Sequence, residues 1–424
     1  MKKRILKRVK KKDGDFLHKS FDSVTRNHAS VIVPRNARHI AVFSLAYFPF
    51  VGGAEIAIKE ITDRLRGDYK FTCITHKFDK SWPNSENFGN VSVLRLGRGG
   101  AGESSYYGSP FKKIKYAFSA WRAAERLHKR EPLTAIWAMM ASYAGIAALF
   151  FKLRHSSVPM LLTLQEGDSE AYILKKVSIF YPLWKMIFKK ADHIQVISNY
   201  LADFARRHGA RCEIEVVPNG VQNQENKKIK KQENRRNGEK IIITTSRLVN
   251  KNGVDLLIKA FPEVIKKIRN CKVKILGMGP EEAKLKKLAK DLGVSNKIDF
   301  LGHVFSDEVP AHLSSAHLFV RPSRSEGLGN SFLEAMAVGL PVIGTKVGGI
   351  PDFLKDPNHV GVSEATGVFA KANNYKDLAQ KIIFVLSNDE VRSAMVRNAR
   401  KLVLKNYSWE DIAKRMGEIF AKII

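Results

Sequence analysis

The sequence predicts an α/β protein of two doubly wound domains, each a parallel sheet flanked by helices, facing one another across a cleft. Three observations carry that expectation. Short apolar runs with strand character alternate with helical stretches from residue 39 onward, as crossover-connected parallel strands require. A polar stretch at 222–240, QNQENKKIKKQENRRNGEK, interrupts the alternation, and the same pattern then restarts. The length of 424 residues suits two cores rather than one, and 44% hydrophobic residues are enough to fill them.

Residues 1–37 are basic and irregular and read as a disordered tail. The first domain, 38–220, opens on a β-branched and aromatic strand at 39–45, a loop at 46–53 ending in Gly52-Gly53, and a helix at 54–66. Strands at 71–75 and 91–96 follow, then a Gly/Ser-rich loop at 97–110 and a basic amphipathic helix at 111–129. The stretch 133–151, LTAIWAMMASYAGIAALFF, carries no charge and is nearly long enough to span a bilayer. Ser142 and Tyr143 interrupt it, and it divides into a strand at 135–139 and a helix at 143–153, so a buried strand–helix unit is the expectation. A strand at 160–164, a long helix at 171–190, a strand at 193–197, a helix at 200–208 and a strand at 213–217 complete this half.

After the linker at 221–240, the second domain, 241–405, places strands at 241–246, 272–276, 298–300, 318–320, 341–344 and 367–369. Helices are expected at 253–268, 280–291, 308–315, 331–338, 375–388 and 389–405. The segment 406–424 follows a Tyr407-Ser408-Trp409 break and reads as a last helix packing back toward the first domain.

Lys and Arg total 72 against 41 Asp and Glu, a formal net charge of +31, which fits nucleic acid, an anionic membrane or a phosphorylated substrate. No DNA- or RNA-reading motif accompanies the charge, so nucleic acid is not the expected partner. Cys73, Cys212 and Cys271 are widely spaced, which points to neither a zinc site nor a disulfide framework and fits a reducing cytoplasm. The basic N-terminus lacks the apolar core of a signal peptide. Basic and aromatic residues cluster at 111–130 and 172–190, the latter with Phe180, Tyr181, Trp184 and Phe188. Such surfaces suit anionic lipid headgroups, so a peripheral position on the inner face of the plasma membrane is expected.

The chemistry concentrates in Ser325–Asp352, SEGLGNSFLEAMAVGLPVIGTKVGGIPD. Two acids, Glu326 and Glu334, flank a turn in which Gly327 and Gly329 let backbone approach a ligand. Asn330 or Ser331 can cap the helix that carries Glu334, whose N-terminal amides and dipole suit a diphosphate. Glu334 can accept hydrogen bonds from ribose hydroxyls and Glu326 from sugar hydroxyls. An ordinary strand–turn–helix with surface acids would account for the two glutamates alone, but not for the whole string.

That string resembles the signature of glycosyltransferase family 4: Glu, seven residues, Glu, an EAMA helix, a G-x-P-V strand and a GG-x-P turn. The resemblance runs from about residue 39 to residue 420. It implies the GT-B fold, with two Rossmann-like domains, and retaining transfer from a nucleotide-sugar donor. The acceptor it implies is a glycan or a lipid-linked molecule, in cell-envelope polysaccharide or glycolipid synthesis. Tyr47–Glu55 is similar to the family's P-x-x-GG-x-E loop, which assigns Gly52 and Gly53 to the donor diphosphate. Val216–Val221 resembles the IPNGV hinge between domains. Arg247 ends the first strand of the second half, where the family neutralises the leaving diphosphate with an Arg and with a Lys just before the next Gly. Here Asn252 precedes Gly253, and the lysine is Lys251. The catalytic set implied is therefore Glu326, Arg247 and Lys251, with a local shift for the lysine.

The turn Gly277-Met278-Gly279-Pro280 matches the family's donor-side G-x-G-P, which assigns Gly279, and 301–304 resembles the segment whose backbone meets the nucleobase, which assigns Val304. Leu328, Gly329, Asn330, Ser331 and Glu334 complete the donor set. At 162–168 many members read T-x-H, but the aligned residue is Gln165, an amide that binds hydroxyls and is no base. Gln165 and Glu166 are assigned to the acceptor side. Glu166 and Asp168 read either as hydroxyl ligands or as ordinary loop acids. The resemblance implies transfer without a metal ion, so neither a metal nor another cofactor is expected. The rival readings are a GT-B nucleotide-sugar epimerase, a basic nucleic-acid-binding protein and a catalytically dead scaffold.

Overall fold

The structure, a computed structural model, describes residues 37–50, 52–100, 110–222 and 238–424. The basic tail, most of the Gly/Ser-rich loop and the middle of the polar linker lie outside the described residues.

The first sheet comprises β1 (Arg38–Phe43), β2 (Tyr69–His76), β3 (Ser85–Phe88), β4 (Val91–Leu96), β5 (Ala135–Met139), β6 (Met160–Leu164), β7 (His193–Val196) and β8 (Glu213–Val216). Its order is β3-β4-β2-β1-β5-β6-β7-β8, and every described pair is parallel except β3 with β4. The second sheet comprises β9 (Lys240–Thr245), β10 (Cys271–Leu276), β11 (Ile298–Gly302), β12 (Leu318–Val320), β13 (Val342–Thr345) and β14 (Val368–Ala370), all parallel, in the order β11-β10-β9-β12-β13-β14. Central strands β5, β6 and β7 are buried along their whole length, because helices cover both faces. Each sheet reverses direction of growth once, between β1 and β5 and between β9 and β12. Loops leaving the strand ends there diverge and leave a crevice.

The apolar stretch 133–151 resolves into β5 and the helix Tyr143–Arg154. No helix among the described residues is long and apolar enough to cross a membrane. The single helix expected over 171–190 is instead two, Glu170–Val177 and Tyr181–Lys190, joined by a 3-10 turn at Ser178–Phe180. Pro182 is the cause: it lacks an N–H and its ring crowds the carbonyl four residues back, so it sits in the first turn of a new helix. Strand β3 escapes sequence reading because, of its four residues, only Phe88 is buried.

The C-terminal helix Trp409–Ile423 leaves the second domain and packs on the first. Phe420 lies 5.6 Å from the Tyr69 ring, 6.1 Å from Phe71 and 5.4 Å from Trp137, centroid to centroid. Trp409, Ile412, Met416 and Ile419 share this core with Ile40, Val42 and Ile58. Ser408 caps the helix by accepting from the Asp411 amide, and a short parallel bridge joins it to Val221. The two crossings of the chain therefore run side by side and brace the domains.

Candidate active site

The carboxyl ends of β1 and β6 face those of β9 and β12, and the loops leaving them meet. After β1, the helix Gly53–Arg64 starts at Gly52 with no side-chain cap. Glu55 turns back toward the helix start, so that a Cβ on Gly52 would lie 2.7 Å from Glu55 Oε2. Burial pushes that carboxyl up to about 7, and Arg247 on the opposite wall pulls it the other way. A Cβ on Gly53 would lie 3.2 Å from the Asn330 amide nitrogen. Gly53 thus meets Asn330 of the second domain, whereas Gly52 faces Glu55 of its own helix.

The helix Asn330–Ala337 starts at Gly329, whose φ of 100° is left-handed, and no side chain caps it. The expected capping by Asn330 or Ser331 is not found. The left-handed glycine starts the helix early, so both residues already lie inside it. Their side chains do other work. The Ser331 hydroxyl accepts from Arg321 Nη1 at 2.8 Å, and Asn330 Oδ1 accepts from Asn219 Nδ2 at 3.4 Å. The first helical amides are left without a side-chain acceptor, the arrangement an anion needs. Gly327 lies so close to the first domain that a Cβ would sit 2.6 Å from the Glu166 carbonyl oxygen.

The two signature acids differ in their surroundings. Glu326 pairs with Arg321, Oε2 to Nη2 at 2.8 Å. The Glu334 side chain makes no hydrogen bond or ion pair with the described residues, and burial pushes its carboxyl up to about 7 against the opposing charge of Arg321. The Glu334 carboxyl is thus left without a hydrogen-bonding partner among the described residues. Its raised pKa predicts a measurable cost. Between the ordinary 4.5 and about 7, the folded chain holds more protons than the unfolded chain, so this group's contribution to stability falls as pH rises through that window. Glu334→Gln removes the group. The variant is expected to melt above the wild type at about pH 8, with the gap closing toward about pH 5. Thermal melts at the two pH values check this, and a gap that does not change with pH would refute it.

Arg247 is exposed beyond β9, and its side chain makes no hydrogen bond or ion pair with the described residues. Its charge acts on Glu55 and Asp168 of the first domain. The loop behind it is fixed by Asn252, whose Nδ2 donates to the Arg247 carbonyl at 2.6 Å. Lys251 reaches across the cleft to Asp168, Nζ to Oδ1 at 2.9 Å. Its ammonium is engaged there, which holds the Asp168 carboxyl below its ordinary range against the effect of burial. Gly279 and Val304 follow β10 and β11, at the same sheet edge. The Leu328 side chain is 1% exposed and belongs to the core, which leaves its backbone at the turn.

On the first-domain side, Gln165 forms a two-way amide pair with Asn219, at 3.1 and 3.0 Å, and Asn219 continues to Asn330. Gln165, expected on the acceptor side, is therefore linked through Asn219 to the helix Asn330–Ala337. One oxygen of Glu166 accepts from the Ala141 amide at 2.8 Å, while its Oε2 is buried with no hydrogen-bond partner. Burial pushes this carboxyl, too, up to about 7. The domains also join where Ser198 Oγ donates to the Gly327 carbonyl at 2.7 Å and Ser325 Oγ to that of Gly167 at 3.1 Å. Among the described residues, no group of three or more His, Cys, Asp or Glu side chains is arranged to hold a metal ion.

Sequence reasoning missed Arg321, Asn219 and Asn252 as members of this constellation. A signal existed for Arg321: it directly follows a buried strand, as the exposed Arg247 nearly does. Asn219 read as hinge backbone, and nothing in its local sequence names its partners.

Comparison with known proteins bears on the family and the fold. The family model described as Glycosyl transferases group 1 matches residues 225–402, and the one described as Glycosyltransferase Family 4 matches residues 51–225. A GDP-mannose-dependent alpha-(1-6)-phosphatidylinositol monomannoside mannosyltransferase of Mycobacterium tuberculosis is 27% identical over 69% of this chain and 77% of its own length. The structure of sucrose-phosphate synthase from Thermosynechococcus elongatus superposes with a TM-score of 0.77 at 21% identity, covering 91% of this chain and 98% of that one. HepE of Anabaena, solved in complex with UDP-glucose, superposes with a TM-score of 0.70 at 16% identity, covering 91% and 99%.

Proposed function

The chain belongs to glycosyltransferase family 4 and has the GT-B fold, and from that premise we propose that it transfers a sugar with retention from a nucleotide-sugar donor to a glycan or lipid-linked acceptor. One observation carries the reading: an unpaired cation, Arg247, an uncapped helix N-terminus at Gly329 and an unpaired carboxylate, Glu334, converge on one crevice. A diphosphate needs the first two, and a ribose suits the third.

In this mechanism the bond from the anomeric carbon to the diphosphate breaks, and its electron pair stays on the phosphate oxygen. The acceptor hydroxyl oxygen bonds to the same carbon from the same face, and its proton passes to that phosphate oxygen. Arg247 and the amides of the helix Asn330–Ala337 stabilise the charge that develops, with no metal ion in the step. Glu326, fixed by its ion pair, holds the sugar in register.

The acceptor is proposed to be presented at a membrane. Ile179 is 85% exposed, and Ile114, Phe118, Tyr172 and Phe180 are also exposed, on lysine-rich helices of the first domain. The mycobacterial relative is named for a phosphatidylinositol-linked acceptor. The protein is expected to sediment with anionic vesicles at low salt and to be released by high salt. Sedimentation with neutral vesicles alone would count against the basic surface.

A thermal-shift screen across UDP-, GDP- and ADP-sugars tests the central reading, since a ligand that binds only the folded state raises the melting temperature. A shift with one base class, followed by passage of radiolabelled sugar to an acceptor, is the expected result. No shift with any donor overturns the reading, and label that stays on an epimerised donor replaces transfer with epimerisation.

A further inference from the structure

We propose that Arg321 is the second cation of the diphosphate site, standing in for the lysine that the resemblance puts before Gly253. The assignment rests on the donor-site reading above and adds a residue to it. Arg321 is the first residue beyond β12, and β12 lies beside β9, with Leu318 opposite Ile242 and Phe319 opposite Ile243. Arg321 and Arg247 therefore leave adjacent parallel strands at one sheet edge, beside the helix that carries Glu334.

The guanidinium is held by three anchors. Nη1 donates to Ser331 Oγ in the first turn of the helix at 2.8 Å. Nη2 lies 2.9 Å from Asn252 Oδ1 and 2.8 Å from Glu326 Oε2. Nε is buried with no hydrogen-bond partner. A buried fork with an unmet donor, beside the uncapped amides of Asn330–Ala337, is a group still missing an acceptor oxygen.

The neighbouring side chains explain why this residue is an arginine. Asn252, where a lysine is expected from the resemblance, is neutral, 2% exposed and bonded to Arg321 through its own oxygen. A lysine at 252 would put a second cation against that guanidinium. The Lys251 ammonium is turned to Asp168 on the opposite wall, whereas Arg321, though paired with Glu326, keeps an unmet Nε donor on the side of the helix. The positive charge has moved from the loop after β9 to the end of β12. There it also touches Glu326, so one guanidinium links the diphosphate to the acid that orients the sugar. When the sugar–phosphate bond breaks and its electrons remain on the phosphate oxygen, Arg321 shares the new charge with Arg247.

The test uses the full chain and the nucleotide whose sugars shift wild-type melting. Calorimetry measures the nucleoside diphosphate and the bare nucleoside against wild type, Arg321→Gln, Arg321→Lys and the double variant Arg321→Gln/Asn252→Lys. Arg321→Gln is expected to weaken the nucleoside diphosphate by roughly tenfold or more and to leave nucleoside affinity unchanged. Arg321→Lys, which keeps the charge and loses the fork, is expected to lose less. The double variant is expected to recover affinity for the diphosphate, since it returns the cation to the loop. Three results each overturn the assignment: wild-type diphosphate affinity in Arg321→Gln, equal loss of nucleoside and diphosphate, or no recovery in the double variant. If the wild type binds no nucleotide, the donor reading itself fails and this assignment falls with it. A binding wild type confines any failure to Arg321.

Discussion

Arg247→Ala is expected to slow sugar transfer by about 10²–10³-fold, the usual loss when one preorganised donor to developing charge is removed. The loss should fall mainly on kcat. The ground-state diphosphate keeps the helix amides, whereas the charge released on bond breaking is what Arg247 is placed to meet. Stability should be nearly untouched, because the side chain is exposed and makes no hydrogen bond or ion pair with the described residues. The variant separates catalysis from folding cleanly. Steady-state rates with donor and acceptor, alongside a melt, check it. A rate within about threefold of wild type would remove Arg247 from the step.

Glu326→Gln is expected to cost about 10²-fold in transfer rate, with donor KM changed far less. Glutamine keeps the size and one acceptor oxygen, so the sugar still binds, but in a looser register. The partner matters here. Arg321 pairs with this carboxylate with both side chains 12% exposed, so neutralising Glu326 leaves a largely buried guanidinium held only by the neutral anchors Ser331 and Asn252. The melting temperature should therefore drop, unlike that of the Arg247 variant. Full transfer rate in Glu326→Gln would end the assignment of this acid to the sugar. A drop in stability with an unchanged rate would make the ion pair purely structural.

These expectations show where sequence information is strong. Glu326 and Glu334 could be singled out because their significance lies in local order: strand end, glycine turn, helix start, strand, glycine turn, within Ser325–Asp352. The split of 133–151 into β5 and a helix was likewise legible, because polar residues interrupt the apolar run. The break at Pro182 was written in the chain too, and the helical periodicity on either side obscured it.

The reassignments share a different cause. The capping of Asn330–Ala337 depends on one backbone angle at Gly329, and composition does not report φ. The Leu328 side chain points into the core although it sits in the turn between the two acids, because adjacent residues in a turn point opposite ways. Lys251 looked like the missing phosphate cation by position, and a partner 83 residues away holds it. Gln165 looked like an acceptor ligand, and an amide 54 residues away occupies it.

By itself, then, the sequence determined the two α/β domains and the strand–turn–helix order of Ser325–Asp352, because hydrophobic periodicity and turn residues act over one or two elements. Only the tertiary structure decided which charges are spent on one another and which stay open. Arg321 meets Asn252 across 69 residues, and Asn219 meets Asn330 across 111. An ion pair or an amide pair forms wherever the fold brings complementary groups within about 3 Å, and that proximity is set by how two sheets pack, not by neighbours along the chain.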